Sequence, residues 1–188
     1  MLITAMTANT NGTIKGKFAY VVYGKTDTST IDIASLAASQ GYAISVPQNL
    51  VSSGQTITAL GDINGDGFAD FAYSDQTRDP SSNALLPGFA SIVYGAPNRT
   101  GVSVAGTAAS SNGFSLIGDA DNIIGGTAIS SAGDFNGDGF GDIAVTSSGK
   151  TFVVFGKSSG TSINVSSLTA GTSTNGLTIL GSTANTTY

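Results

Sequence analysis

Asp62, Asn64, Asp66 and Asp70 stand at the first, third, fifth and ninth positions of DINGDGFAD, and Asp134, Asn136, Asp138 and Asp142 hold the same places in DFNGDGFGD. Oxygen-bearing side chains that alternate along a tight bend point inward together, and glycine at the sixth position, Gly67 or Gly139, permits the sharp turn. The seventh-position carbonyls of Phe68 and Phe140 would complete each shell. Three carboxylates, an amide and a carbonyl are all hard oxygen donors, which suits calcium. Magnesium prefers octahedral sites that keep several waters, and soft metals want nitrogen or sulfur. The spacing therefore predicts two Ca2+ sites. The competing reading, that Asp-Gly and Asn-Gly only mark hairpin turns, explains one such loop better than two copies agreeing at all five key positions.

Composition removes most other chemistry. The 188-residue chain has 12 acidic side chains, all Asp, against 7 basic ones, for a net charge of −5, and it contains no His, Cys or Trp. Thiol nucleophiles, Ser-His-Asp triads and His/Cys zinc sites are thereby impossible. An acid and a base would have to come from Asp, Tyr or Lys, and the one candidate carboxylate pair, Asp75 and Asp79, sits in a polar stretch with nothing to raise a pKa. The chain reads as a non-enzyme. Seven scattered cations on an acidic chain argue against nucleic acid. No apolar run reaches the roughly 18 residues of a membrane span, and the start, MLITAMTANTNG, has no signal-peptide pattern.

The elements that must hold these loops read as strands. Glu is absent, Gly (26 residues) interrupts almost every window, and apolar residues fall in short runs rich in Val, Ile, Phe and Tyr. Such runs are KFAYVVYG at 17–24, DFAYS at 70–74, FASIVYG at 89–95, DIAVTS at 142–147 and TFVVFG at 151–156. Only 31–40 reads as a short helix, so the class is all-β. The runs repeat. An aromatic-Gly strand end occurs as Tyr23-Gly24, Tyr94-Gly95 and Phe155-Gly156, and a third element as GYAISV, GFSLIG and GLTILG. Each full unit thus supplies four short antiparallel strands, the makeup of a β-propeller blade. The frame gives a truncated first blade at 1–46, a blade at 47–118 with loop 62–70, a blade at 119–181 with loop 134–142, and a tail at 182–188. About three blades are an incomplete ring, because closed propellers typically need four to eight. Neighbouring blades or other subunits are the expected partners that complete it. The recurring aromatics are expected to fill inter-blade cores. An insertion at 75–88 reads as a surface loop, and Asp119, Asp121 and Asn122 as a turn.

The flanks decide which calcium family this is. An EF-hand needs a bidentate Glu at the twelfth position and a helix on each side, whereas that position here is Tyr73 or Val145 and the flanks are strand-like. At these residues the chain resembles the FG-GAP (integrin α-type) β-propeller repeat, whose blades carry a DxNxDGxxD calcium loop between two strands. The resemblance implies that Asp62, Asn64, Asp66, the Phe68 carbonyl and Asp70 bind one Ca2+, and that Asp134, Asn136, Asp138, the Phe140 carbonyl and Asp142 bind the other. The family's GAP tripeptide after the loop strand is replaced by YSD at 73–75 and TSS at 146–148, which favours a bacterial-type relative.

The expected function is a calcium-binding module of a secreted or cell-surface protein that acts in adhesion or ligand binding, with an unidentified protein or glycan as ligand. The Ser/Thr/Gly-rich, Lys-poor composition and the resemblance point the same way. The alternative is a non-recognising spacer or assembly unit of a large surface protein, or an accessory domain beside an enzyme encoded elsewhere in the parent chain.

Overall fold

The computed structural model describes residues 2–8, 14–46, 51–78, 82, 84, 86–97, 102–103, 112–124, 127–147, 149–168 and 173–181. The tail 182–188 lies outside them. Both loops lie wholly within them.

The fold is all-β. The strands are β1 (Leu2–Ala8), β2 (Ile14–Val22), β3 (Gly41–Val46), β4 (Val51–Gly61), β5 (Asp70–Arg78), β6 (Phe89–Val93), β7 (Val102–Ser103), β8 (Gly113–Ile117), β9 (Ile129–Gly133), β10 (Asp142–Ser147), β11 (Lys150–Val154), β12 (Ile163–Asn164) and β13 (Gly176–Leu180). They form three sheets, ordered β1-β2-β3-β7, β12-β8-β6-β5-β4 and β13-β11-β10-β9, and the described residues do not close these into a ring. Each loop joins a pre-loop strand to an antiparallel post-loop strand, β4 to β5 and β9 to β10. The segment 31–40, expected as a helix, holds only a 3-10 turn at Ile33–Ser35, started by Asp32 accepting from the Ala34 N–H at 2.9 Å. None of the residues of this turn is buried, so no packed face sustains a longer helix.

The middle sheet is covered on both faces. Phe71, Tyr73 and Val93 pack with Ala19, Tyr42 and Ile44 of the first sheet. Their alternate neighbours Ala72, Ala90, Ile92 and Tyr94 pack with Ile143, Val145, Phe152 and Val154 of the third. The two-residue period of a strand sends successive side chains to opposite faces. Double coverage then demands apolar residues at both parities, which is why these runs are continuous rather than alternating. Of the recurring aromatics, Tyr20, Tyr94 and Phe152 are buried, while Phe89 and Phe155 are half-buried.

Two features were not visible in the sequence. The two-residue strands β7 and β12 pair in parallel with β3 and β8, so each leaves its own sheet and extends the outer edge of the preceding one. The insertion at 75–88 is also not all loop. Asp75–Arg78 continue β5 and pair with residues 51–55 of a lengthened β4.

Between the second and third sheets, the Tyr94 hydroxyl donates to the carbonyls of Lys157 (2.5 Å) and Ser159 (3.1 Å), and the Lys157 ammonium lies 4.6 Å from the Phe114 ring centroid. Burial, then the charges of Asp70 and Asp66, push the Tyr94 hydroxyl up to about 12, so it remains a donor. Tyr23 occupies the matching place in the first unit, and its buried hydroxyl has no partner among the described residues. Removing one half of a buried hydrogen bond costs about 1–3 kcal/mol, whereas removing an unpartnered hydroxyl costs little. Tyr94→Phe is therefore expected to lower unfolding free energy by about 1–3 kcal/mol in urea titration, and Tyr23→Phe to leave it within about 0.5 kcal/mol.

Candidate metal centre

Each loop is organised by its first aspartate. Asp62 Oδ1 accepts from the N–H groups of Gly65 (2.8 Å) and Asp66 (3.1 Å), and its Oδ2 from Gly67 (2.8 Å). Asp66 Oδ1 accepts from the Phe68 N–H at 2.8 Å, and Asp66 Oδ2 from Asn64 Nδ2 at 2.9 Å. The second loop repeats this pattern. Asp134 takes the amides of Gly137 (2.8 Å), Asp138 (3.0 Å) and Gly139 (3.0 Å), while Asp138 takes those of Phe140 (2.9 Å) and Asn136 Nδ2 (2.8 Å). These bonds wrap the backbone so tightly that Gly67 and Gly139 adopt φ of 86° and 93°. An L side chain would be strained there, which is the sixth-position requirement read from the sequence.

The ninth-position aspartates face the protein interior. Asp70 Oδ2 accepts from the Ile63 N–H at 2.8 Å and Asp70 Oδ1 from the Gly95 N–H at 2.6 Å. Asp142 Oδ2 accepts from Phe135 (2.7 Å) and Asn136 (3.2 Å), and its Oδ1 from Gly156 (2.8 Å). Each carboxylate thus ties the start of its loop to the strand end two strands further on. Burial pushes the Asp70 carboxyl up to about 6, against the amides of Gly95 and Ile63 that pull it down, and the charges of Asp66 and Asp62 add to the rise. Since that lies above the ordinary 3.8, the ionised form is the one the fold disfavours.

That arrangement explains the aromatic-Gly repeat, whose glycine sequence reasoning left unassigned. A Cβ on Gly95 would lie 2.4 Å from the Ala69 carbonyl oxygen. On Gly156 it would lie 2.3 Å from that of Gly141 and 2.6 Å from that of Ile63. The available signal was the recurrence of Gly itself at every aromatic strand end. Gly24, the first-unit equivalent, has no heavy atom of the described residues within 4 Å of such a Cβ. Asp119, Asp121 and Asn122 form a turn: Asp119 Oδ1 accepts from the Asp121 N–H (3.0 Å) and from Asn122 Nδ2 (2.8 Å). Asp75 lies in the β5 ladder opposite Gln55, and Asp79 lies outside the described residues.

As the side chains stand, no three carboxylates among the described residues converge closely enough to hold a metal ion. The donor chemistry nonetheless fits a hard divalent cation. An ionised carboxylate offers about four acceptor sites, so two or three amide bonds leave capacity on each Asp. The positive ends of N–H dipoles hold the negative groups together here, which is the electrostatic work a cation would share.

Residues 125–162 match the family model of the FG-GAP repeat. The match contains β9, the whole second loop, β10 and β11, and the matched FG-GAP repeat is a non-catalytic module family. No curated protein and no solved structure matches the chain.

The glycine contacts give a paired expectation. Gly156→Ala should destabilise the fold by about 1–3 kcal/mol or more through overpacking, whereas Gly24→Ala, in open space, should change it by less than about 0.5 kcal/mol. Thermal melts of the two variants beside the parent chain check this, and equal melting temperatures would contradict the loop packing.

Proposed function

We propose that this chain is a calcium-binding β-propeller module of a secreted or cell-surface protein, with two structural Ca2+ ions, acting in adhesion or ligand binding. The observation that carries the reading is the pair of loops with superimposable hydrogen-bond patterns, one of them inside an FG-GAP repeat. Asp62, Asn64, Asp66, the Phe68 carbonyl and Asp70 would hold one ion. Asp134, Asn136, Asp138, the Phe140 carbonyl and Asp142 would hold the other.

In this reading the three sheets are blades arranged around an axis, with the pre-loop strands β4 and β9 innermost and in contact. Among the described residues the first sheet, β1-β2-β3, has no such inner strand. Burial supports further blades at both ends. Ile63, at the second loop position, is 0% exposed beneath the following unit, whereas its equivalent Phe135 is 54% exposed. Gly24 is the matching opening at the other end. Neighbouring blades or other subunits would cover these surfaces. FG-GAP repeats are typical of extracellular or surface proteins, where millimolar calcium is available, and no helix among the described residues is long and apolar enough to cross a membrane.

The ions would contribute to stability on a scale that matters. Free calcium at a hundred times the dissociation constant adds about 2.7 kcal/mol per site, against the 5–15 kcal/mol typical of whole domains. Two ions would also bring the formal charge from −5 to −1. Calorimetric titration of the chelator-stripped chain is expected to give two sites at millimolar calcium or below, with a higher melting temperature in calcium than in EDTA. Asp66→Ala and Asp138→Ala should each abolish one site. Absence of calcium binding at millimolar concentration would overturn the reading. Calcium-dependent retention on a glycan or protein array checks the recognition role.

A further inference from the structure

The two loops touch, and the contacts join the residues that matter for both. The Asp62 carbonyl, at the first position of one loop, accepts from the N–H of Gly141, at the eighth position of the other, at 3.1 Å. The Phe140 ring, at the seventh position, lies over Gly65, where an added Cβ would come within 2.7 Å of Phe140 Cε1. Gly156, whose N–H is held by Asp142, backs onto the Ile63 carbonyl, so closely that a Cβ there would lie 2.6 Å from its oxygen. The last three positions of the second loop are therefore each fastened, directly or through one bond, to the first four positions of the first loop.

We propose that the two loops bind their cations with positive cooperativity, and that Phe140 and Gly141 are the positioning residues that couple them. The inference rests on the reading of the loops as calcium sites. Loading the second loop would order its seventh and ninth positions, Phe140 and Asp142. That ordering also fixes the Gly141 N–H and the Phe140 ring, which form one wall of the first loop. A cation entering the first loop then meets a backbone already held, and less conformational freedom is lost on binding. The reverse order works through the same contacts, because coupling between two binding sites is reciprocal. Repulsion between two divalent ions acts against this. Both loops are largely solvent-exposed, so water and salt screen that repulsion, and the shared wall decides the sign.

The test is calcium titration of the chelator-stripped chain by calorimetry, beside Asp138→Ala, Asp66→Ala and Phe140→Ala. The parent chain is expected to bind two ions with the second tighter than the first. Asp138→Ala should lose its own site and weaken the first loop by roughly fivefold or more, and Asp66→Ala should weaken the second loop by the same factor. Phe140→Ala retains every loop carboxylate and carbonyl, and it should bring the factor between the sites towards one. Circular dichroism in EDTA identifies any variant that fails to fold, and reciprocity lets either aspartate variant supply the factor alone. Two independent sites, with the remaining affinity unchanged in both aspartate variants, would overturn the coupling and leave the calcium reading intact. A parent chain that binds no calcium would overturn both.

Discussion

Asp70 and Asp142 each place one buried carboxylate among backbone amides from two distant parts of the chain. In both units the same side chain gathers the start of its loop and the glycine at the end of the strand two further on. A buried charge is tolerated only when hydrogen-bonded, and here the partners are amides whose positions the sheet already sets. The loop is thus clamped to the sheet, and the sheet must reserve a residue without a side chain to receive it. The glycine at 95 or 156, the lack of clearance around it and the aspartate it faces are one constraint seen from three sides.

The second constraint is coverage. A sheet buried on both faces has no solvent side, so its strands carry apolar residues at both parities, and the middle sheet does so at Phe71, Ala72 and Tyr73. The parallel pairs β3–β7 and β8–β12 add backbone bonds between units whose main adhesion is side-chain packing. The loops meet at the same junction, where the Asp62 carbonyl and the Gly141 N–H complete one another. Sheet packing and loop order are consequently not separable properties of this chain. Whatever holds the second sheet against the third also holds one loop against the other.

Much was legible before any coordinates. The all-β class followed from strand runs punctuated by glycine. The strand after each loop followed from the apolar runs at 70–74 and 142–147, and the strand before it from the four-strand repeat, because apolar runs and turn chemistry are local properties that a sequence displays directly. The turn expected at Asp119–Asn122 is local in the same sense, and it is there. The stretch 31–40 misled because IDIASLAASQ has helix-like spacing, yet nothing packs along it for long enough to sustain a helix. Asp75–Arg78 misled in the opposite direction: a polar stretch became strand because β4 lengthens to pair with it, a long-range ladder that no local propensity encodes.

By itself, the sequence determined which oxygen-bearing side chains share each bend. Two nine-residue bends with Asp, Asn, Asp and Asp at matched places, and glycine where the backbone must turn left-handed, are settled by covalent spacing and steric rules alone. Only the tertiary structure decided what those groups face. It turned the ninth-position carboxylates towards Gly95 and Gly156, buried Ile63 while leaving Phe135 in solvent, and set Phe140 against Gly65. The reason is range. Which side chains share a bend is a matter of neighbours along the chain, whereas which amide or ring lies opposite depends on how whole sheets pack, and that is fixed by contacts between residues dozens of positions apart.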